Sequence, residues 1–310
     1  MALAALDGSF ERRHRFGSAP EAIRVEDLVF RYPGRDRPAI DGVSFSVAPG
    51  EVFGLLGPSG AGKSTLQKLL TRQQRRFDGT VQVLGKPLPS WEQDYFEIIG
   101  VGFELPNHYV KFTAVENLAF FASLYKRKCR DPLELLALVG LQNVAHKRVE
   151  TFSKGMRMRL NFVRAIQHDP EILFLDEPTA GLDPVNASMI KHIIADLREA
   201  GKTVVLTTHN MNDVDHLCDR VSFMVGGRLA AVDTPEALKA KYGKRTVRVT
   251  HGRDRVEADE LPLDGLADNS RFHTILRAGA VRTLHSQEAS LDQVFSEVTG
   301  ASLDSAEEPI

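Results

Sequence analysis

The sequence predicts an α/β protein: a parallel sheet flanked by helices, with an inserted helical subdomain and a small α+β unit appended on the C-terminal side. Three observations carry that prediction. Short apolar segments such as Val52–Leu56, Ile172–Leu175, Thr203–Leu206 and Val221–Val225 alternate with helical stretches, the pattern of a parallel sheet buried on both faces. A Gly-rich loop joins the first of these segments to a helix. Near Gly243 the pattern changes, with Val247 and Val249 alternating with Arg248 and Thr250 as in a half-exposed strand.

The elements follow in order. Ile23, Val25 and Leu28–Phe30 read as a strand that stops at the turn signal Tyr32-Pro33-Gly34. Val43, Phe45 and Val47 alternate up to Pro49-Gly50. Ser64–Leu70 reads as a helix after the loop. Thr113-Ala114-Val115-Glu116 is a capping box, in which hydroxyl and carboxylate each satisfy a free backbone N–H, and Leu118, Phe121, Leu124 and Tyr125 supply that helix's apolar side. Leu133–Val139 and Met156–Ala165 are further helices, so about 105–165 reads as a helical insertion. Beyond Gly243, Phe272–Leu276 and Val281–Leu284 are strand candidates. Ser290-Leu291-Asp292-Gln293 is a second capping box, Leu291, Val294, Phe295 and Val298 follow helical spacing, and Gly300 is a natural stop. The predicted organisation is a tail over 1–20, a sheet domain over 21–243 and an accessory domain over 244–310.

Composition narrows the class. Of 310 residues, 43% are hydrophobic and 26% charged, and the net charge is -2. These values exclude a wholly disordered chain or a collagen-like fibre, and the balanced charge argues against nucleic acid as a partner. The longest stretch without Asp, Glu, Lys or Arg, Leu135–His146, is far short of the about 20 apolar residues that span a bilayer. The Ala-Leu-Ala-Ala-Leu run before Asp7 does not read as a signal peptide. Cys129 and Cys218 are the only cysteines and lack metal-ligand spacing, which fits a reduced, cytoplasmic setting. The basic run Lys126–Arg130 reads as a solvated helix end, with contact to anionic lipid as the sharper alternative.

Chemistry concentrates in two places. Gly57-Pro58-Ser59-Gly60-Ala61-Gly62-Lys63-Ser64 matches the phosphate-binding pattern G-x-x-x-x-G-K-[ST]. Glycines let backbone N–H groups approach a polyphosphate, and the helix N-terminus adds partial positive charge. Lys63 can reach the β- and γ-phosphates and the Ser64 hydroxyl can ligate magnesium, with Thr65 next on the same turn. Ile172–Leu175 then ends in Asp176-Glu177, at the strand terminus where ligand crevices of such sheets lie. Asp176 is placed to hold magnesium, and Glu177 to orient and deprotonate a hydrolytic water.

With these motifs in place the chain resembles the ATP-binding subunit of an ABC transporter over about 23–243. Phe152-Ser153-Lys154-Gly155-Met156 resembles the family signature loop LSGGQ, and Thr179-Ala180-Gly181-Leu182-Asp183 resembles the D-loop. His209, closing the next strand, resembles the switch histidine. Tyr32 lies where the family stacks an aromatic ring on adenine. The resemblance implies a P-loop NTPase core, ATP and magnesium as ligands, and a head-to-tail dimer of two such chains, or of two related ones, with ATP between the P-loop of one subunit and Ser153 and Gly155 of the other and Asp183 at the same interface. It also implies a separate transmembrane permease and a place at the inner face of the membrane through that permease alone. Three positions depart from the pattern. Lys154 and Met156 replace the usual glycine and glutamine, and Glu104, after Ile98–Phe103, replaces the glutamine that contacts magnesium and the attacking water. Segments Gly227–Leu229, Asp233–Leu238 and Ser290–Phe295 resemble the drug and antibiotic export branch. The expectation is an ATPase that powers export of drugs or other small hydrophobic compounds. The alternative is a non-transport ATPase of the same type, acting as a regulatory or nucleic-acid-linked factor.

Overall fold

The computed structural model describes residues 21–243, 245–252, 255–287 and 289–300. The expected tail over 1–20 lies outside them. Strands β1 (Ile23–Phe30), β2 (Ile40–Val47) and β3 (Val52–Leu56) lead to helix α1 (Lys63–Leu70), then β4 (Asp78–Val83), β5 (Lys86–Pro87), α2 (Tyr95–Ile98) and β6 (Ile99–Gly102). Helices α3 (Ala114–Ala122), α4 (Pro132–Leu138) and α5 (Lys154–Ile166) form the insertion. The sheet resumes with β7 (Ile172–Asp176), α6 (Pro184–Glu199), β8 (Thr203–Thr208), α7 (Met211–Leu217), β9 (Arg220–Val225), β10 (Arg228–Asp233) and α8 (Pro235–Tyr242). Last come β11 (Thr246–His251), β12 (Glu257–Pro262), α9 (Ser270–Arg277), β13 (Val281–Gln287) and α10 (Leu291–Thr299).

The central sheet has the order β10-β9-β3-β8-β7-β6, parallel except for the edge strand β10. Its central strands β3, β7, β8 and β9 are buried on both faces, which explains their near-continuous apolar sequences, whereas the edge strand β10 is partly exposed. The strand alternation divides the core. Phe53, Leu55, Ile172, Phe174 and Val205 face α1 and the antiparallel sheet β2-β1-β4-β5, whereas Val52, Leu56, Leu173, Leu175, Val204 and Leu206 face α5, α6 and the insertion. Both expected capping boxes form. The Thr113 hydroxyl accepts from Glu116 N–H at the start of α3, and the Ser290 hydroxyl accepts from Gln293 N–H at the start of α10.

The C-terminal region differs from the sequence expectation in two ways. Phe272–Leu276 is not a strand but most of α9, whose N-cap Asn269 accepts from Phe272 N–H at 3.0 Å. The apolar residues Phe272 and Ile275 pack at helical spacing on Val247, Val249 and Leu261. The expected accessory unit is also divided. Sheet β12-β11-β13 with α9 has its own small core, but α10 returns to the main one. Leu291, Val294 and Phe295 are fully buried there, and the Phe295 ring meets Phe223 of β9 edge-on at 5.2 Å. The amphipathic face of α10 needed an apolar partner, and the face of β9 supplied it.

Phe295 therefore contributes to the sheet domain itself. A Phe295→Ala variant is expected to lose about 3–5 kcal/mol of unfolding free energy, measured by denaturant titration. A loss under about 1 kcal/mol would mean that α10 does not close this core.

Candidate nucleotide site

The register of the parallel strands builds the site. β3 pairs with β8 at Leu56 and Thr208, and β7 pairs with β8 at Asp176 and Thr207. The loops leaving these strands therefore meet at one edge of the sheet, bringing the Gly57–Thr65 loop, Asp176-Glu177 and His209 together.

Glycine is required at two points of the loop. Gly57 passes so close to β9 that a Cβ would lie 2.1 Å from the Met224 carbonyl oxygen. Gly62, the N-cap of α1, has φ +108°, and a Cβ there would lie 2.7 Å from the Ala39 carbonyl oxygen. The first amide N–H groups of α1, over Lys63-Ser64-Thr65, are consequently free of helical partners. Ser59, Gly60 and Ser64 are exposed, while Pro58, Gly62, Lys63 and Thr65 are half-buried and Ala61 is buried. The Lys63 ammonium folds back on the loop and donates to the carbonyl oxygens of Gly57 at 2.5 Å and Pro58 at 3.0 Å. Burial lowers its pKa, and the negative charges of Glu177, Asp176 and Glu104 oppose that shift. All three acids thus act on the same ammonium, although Glu104 itself is exposed.

Asp176 accepts from the Thr207 hydroxyl through Oδ1. Glu177, only 9% exposed, is held at both carboxylate oxygens. Thr208 Oγ1 donates to Oε2 at 3.2 Å, and His209 Nδ1 lies 2.7 Å from Oε1. Its backbone is left-handed, at φ +48°, a conformation that costs a non-glycine residue about 1–3 kcal/mol. Strain at an acid so tightly held marks a position whose direction matters. Tyr32 is half-buried, its hydroxyl 3.2 Å from Thr65 Oγ1 and its ring edge-on to Phe30 at 4.8 Å.

Other expected residues lie apart from this cluster. The Ser153 hydroxyl caps α5 by accepting from Met156 N–H at 3.2 Å, and Gly155 lies against Leu182 and Gly181. Among the described residues, neither Ser153 nor Gly155 bonds to the 57–65 loop. Asp183 caps α6, and its hydrogen bonds from Asn186 and Val185 hold its carboxyl below the usual range.

Sequence reasoning missed the supports. Thr207 and Thr208 hold the acids and were legible only as residues next to His209. Thr179 Oγ1 donates to Asp213 Oδ2 at 2.5 Å, and Lys191 pairs with Asp213 Oδ1 at 3.0 Å, tying the 179–183 loop to α6 and α7. The segment after β6 is tied to α5. Asn161 donates to the Phe103 carbonyl at 2.8 Å, Arg164 to the Asn107 carbonyl at 2.7 Å, and His108 Nε2 lies 3.0 Å from the Arg157 carbonyl. Burial holds the His108 pKa down at about 4, so its ring is neutral and donates through Nε2. The middle of the basic run Lys126–Arg130 is structural, because Arg127 pairs with Glu171 at 3.4 Å and donates to the Asp169 carbonyl.

A phosphate loop between β3 and α1, with acids at the end of β7, defines a P-loop nucleoside triphosphatase. The comparisons with known proteins are specific. Residues 40–180 match the family model described as ABC transporter, and residues 245–288 match one described as fluoroquinolone efflux ABC transporter C-terminal domain. The chain is 56% identical to the fluoroquinolones export ATP-binding protein of Mycobacterium tuberculosis (strain CDC 1551 / Oshkosh) over 285 residues, 91% of this chain and 95% of that protein. It is 35% identical to the Nod factor export ATP-binding protein I of Neorhizobium galegae, over 93% of this chain and 88% of that one. A solved structure described as the ATP binding subunit of an ABC transporter superposes with TM-score 0.65 at 26% identity, over 71% of this chain and 93% of that chain. The chain belongs to the ABC transporter family, as one of its ATP-binding cassettes, and is an ATPase.

The loop geometry predicts the outcome of a minimal change. Gly62→Ala is expected to keep the helical circular dichroism but lose at least about tenfold in ATP affinity, measured by calorimetry, because a left-handed N-cap with a methyl group displaces the first turn of α1. Unchanged affinity would show that the loop does not hold the phosphates through this backbone.

Proposed function

We propose that this ATPase energises the export of small hydrophobic compounds, fluoroquinolone-type drugs among them, through a separate membrane permease. Support comes from the names of relatives that match across nearly the whole chain, and from the 245–288 match to an efflux accessory domain. No helix of the described residues is long and apolar enough to cross a membrane, and the reading places the chain at the inner membrane face, held there by its permease.

One observation carries the mechanism: the site is one-sided. P-loop, acids and His209 converge, while Ser153 caps α5 and Gly155 lies against its own D-loop, and neither bonds to the 57–65 loop. Ser153 and the N-terminal amides of α5 form a second anion site, which a second copy of the chain supplies. In such a dimer Lys63 and the loop amides hold the phosphates of ATP and Tyr32 stacks on adenine. Asp183 sits at the shared interface. Ser64, Asp176 and Glu104 offer oxygen donors of the kind magnesium prefers. Among the described residues no cluster of three His, Cys, Asp or Glu could hold a metal unaided, which suits an ion that takes part of its coordination from phosphate. Magnesium supplies charge neutralisation when bound. Glu177, aimed by its left-handed backbone and held by Thr208 and His209, accepts a proton from the attacking water. Loss of the γ-phosphate then removes the charge shared by the two anion sites, and the copies separate.

The permease is proposed to dock on an aromatic groove of about 500 Å³ lined by Phe96, Val101, Phe103, His108, Tyr109 and Phe121. Tyr109 is 48% exposed and stacks on Phe112 at 5.3 Å, which supports an anchoring role for its ring over core packing. His108, which lines the groove, bonds to the Arg157 carbonyl in the first turn of α5.

Glu177→Gln is expected to bind ATP, hydrolyse it about 10²–10⁴-fold more slowly, and accumulate as an ATP-bound dimer. Phosphate release and size-exclusion chromatography measure both, and wild-type turnover would remove Glu177 from this role. Tyr109→Ala should fold and bind ATP normally but lose permease-stimulated hydrolysis in reconstituted vesicles. Full stimulation would place the permease elsewhere.

A further inference from the structure

We infer that Glu104 of one copy and Lys154 of the second form a compensating charge pair across the same nucleotide. The inference rests on the head-to-tail reading above and deepens it.

Both residues carry a full charge where the family pattern has a neutral residue, and the two charges have opposite sign. The Glu104 and Lys154 side chains are both exposed, and neither makes a hydrogen bond or ion pair with any described residue. Glu104 nonetheless leaves the sheet at the edge of the phosphate site: two residues earlier Gly102 of β6 pairs in parallel with Leu175 of β7, which leads into Asp176-Glu177, and its charge acts on the Lys63 ammonium together with theirs. A third carboxylate beside a γ-phosphate raises the repulsion that ATP must overcome, and the three acids share the single ammonium of Lys63.

Lys154 is the first residue of α5, where a positive charge opposes the helix dipole. No acid occupies that first turn. The lysine is therefore unfavourable for its own helix dipole, a cost that an incoming anion would offset. Its side chain is laid along the D-loop: a Cβ on Gly181 would lie 3.2 Å from Lys154 Cε and 3.3 Å from Nζ. Gly181, at φ +71°, leaves the room that this path needs. The ammonium is thus carried on the same face as Ser153 and Gly155, the face offered to the second copy. When that face closes on a bound nucleotide, Lys154 brings a positive charge toward the γ-phosphate from the side opposite Glu104. The two departures then offset one another, and either alone leaves a net charge at the γ-phosphate.

There is also a link within each chain. The loop bearing Glu104 is bonded to α5 at Asn161, Arg164 and Arg157, and α5 begins at Lys154. Each copy therefore presents its carboxylate to one nucleotide and its ammonium to the other through a single braced unit.

The experiment is a double-substitution cycle in the Glu177→Gln background, with dimer formation against ATP followed by sedimentation velocity. Glu104→Gln, Lys154→Met and the double variant remove charge from exposed positions, and circular dichroism checks their folding. Charges about 6–8 Å apart at an effective dielectric of about 20 couple by roughly tenfold or more in an equilibrium constant. Lys154→Met should raise the half-saturating ATP concentration at least about fivefold more when Glu104 is present than when it carries the Glu104→Gln substitution. Lys154→Arg should restore the coupling, and raising salt from about 0.05 to about 0.5 M should shrink it, as screening requires. Effects of the two substitutions that multiply independently, within about twofold, would overturn the pair while leaving the dimer intact. Absence of any ATP-dependent dimer in the Glu177→Gln parent would overturn the pair and the head-to-tail reading together.

Discussion

The parallel register of β3, β8 and β7 is the constraint on which the site depends. Leu56 pairs with Thr208 and Asp176 with Thr207, so three strands end at one level and three loops meet. Because both sheet faces are buried, a one-residue slip would exchange every side chain between two packed cores. The apolar alternation of Val52–Leu56, Ile172–Leu175 and Thr203–Leu206 therefore sets the position of a lysine, two carboxylates and a histidine that contribute nothing to the core.

Charge at that edge is balanced locally. Lys63 loses hydration on burial, yet Glu177, Asp176 and Glu104 favour its charged form, and the loop carbonyls accept its protons. Any anion that approaches Lys63 has to compete with those carbonyls and acids for the same ammonium. Glu177 shows the other side of the balance. Its left-handed backbone is unfavourable, and hydrogen bonds from Thr208 and His209 keep the carboxylate aimed. The strain is sustained by neighbours in and next to the adjoining strand.

The outlying parts of the chain are bound to this centre by specific contacts. Loop 103–108 is fastened to α5 by Asn161, Arg164 and the Arg157 carbonyl, which connects an exposed aromatic groove to the helix that Ser153 caps. Thr179, Asp213 and Lys191 brace the D-loop against α6 and α7. At the far end α10 closes over β9, so the sheet domain is completed by a segment that follows the small C-terminal sheet.

Much was determined by the sequence alone. Gly57–Ser64, Asp176-Glu177 and the two capping boxes are local signals, since their chemistry depends on neighbours a few residues away and survives reading in one dimension. The parallel class followed from strand composition. Phe272–Leu276 reads as a strand in one dimension because a short amphipathic run fits period two and period 3.6 alike, and only the Asn269 cap and the β11–β12 surface select the helix. The tertiary structure alone decided that Thr208 and His209 grip Glu177, that Asp213 holds Thr179, that Phe295 packs on Phe223, and that Lys154 lies along Gly181. Those contacts join residues far apart in the chain. No pattern of neighbouring residues encodes which distant side chain a free hydrogen-bonding group or an apolar helix face will meet once the sheet has closed.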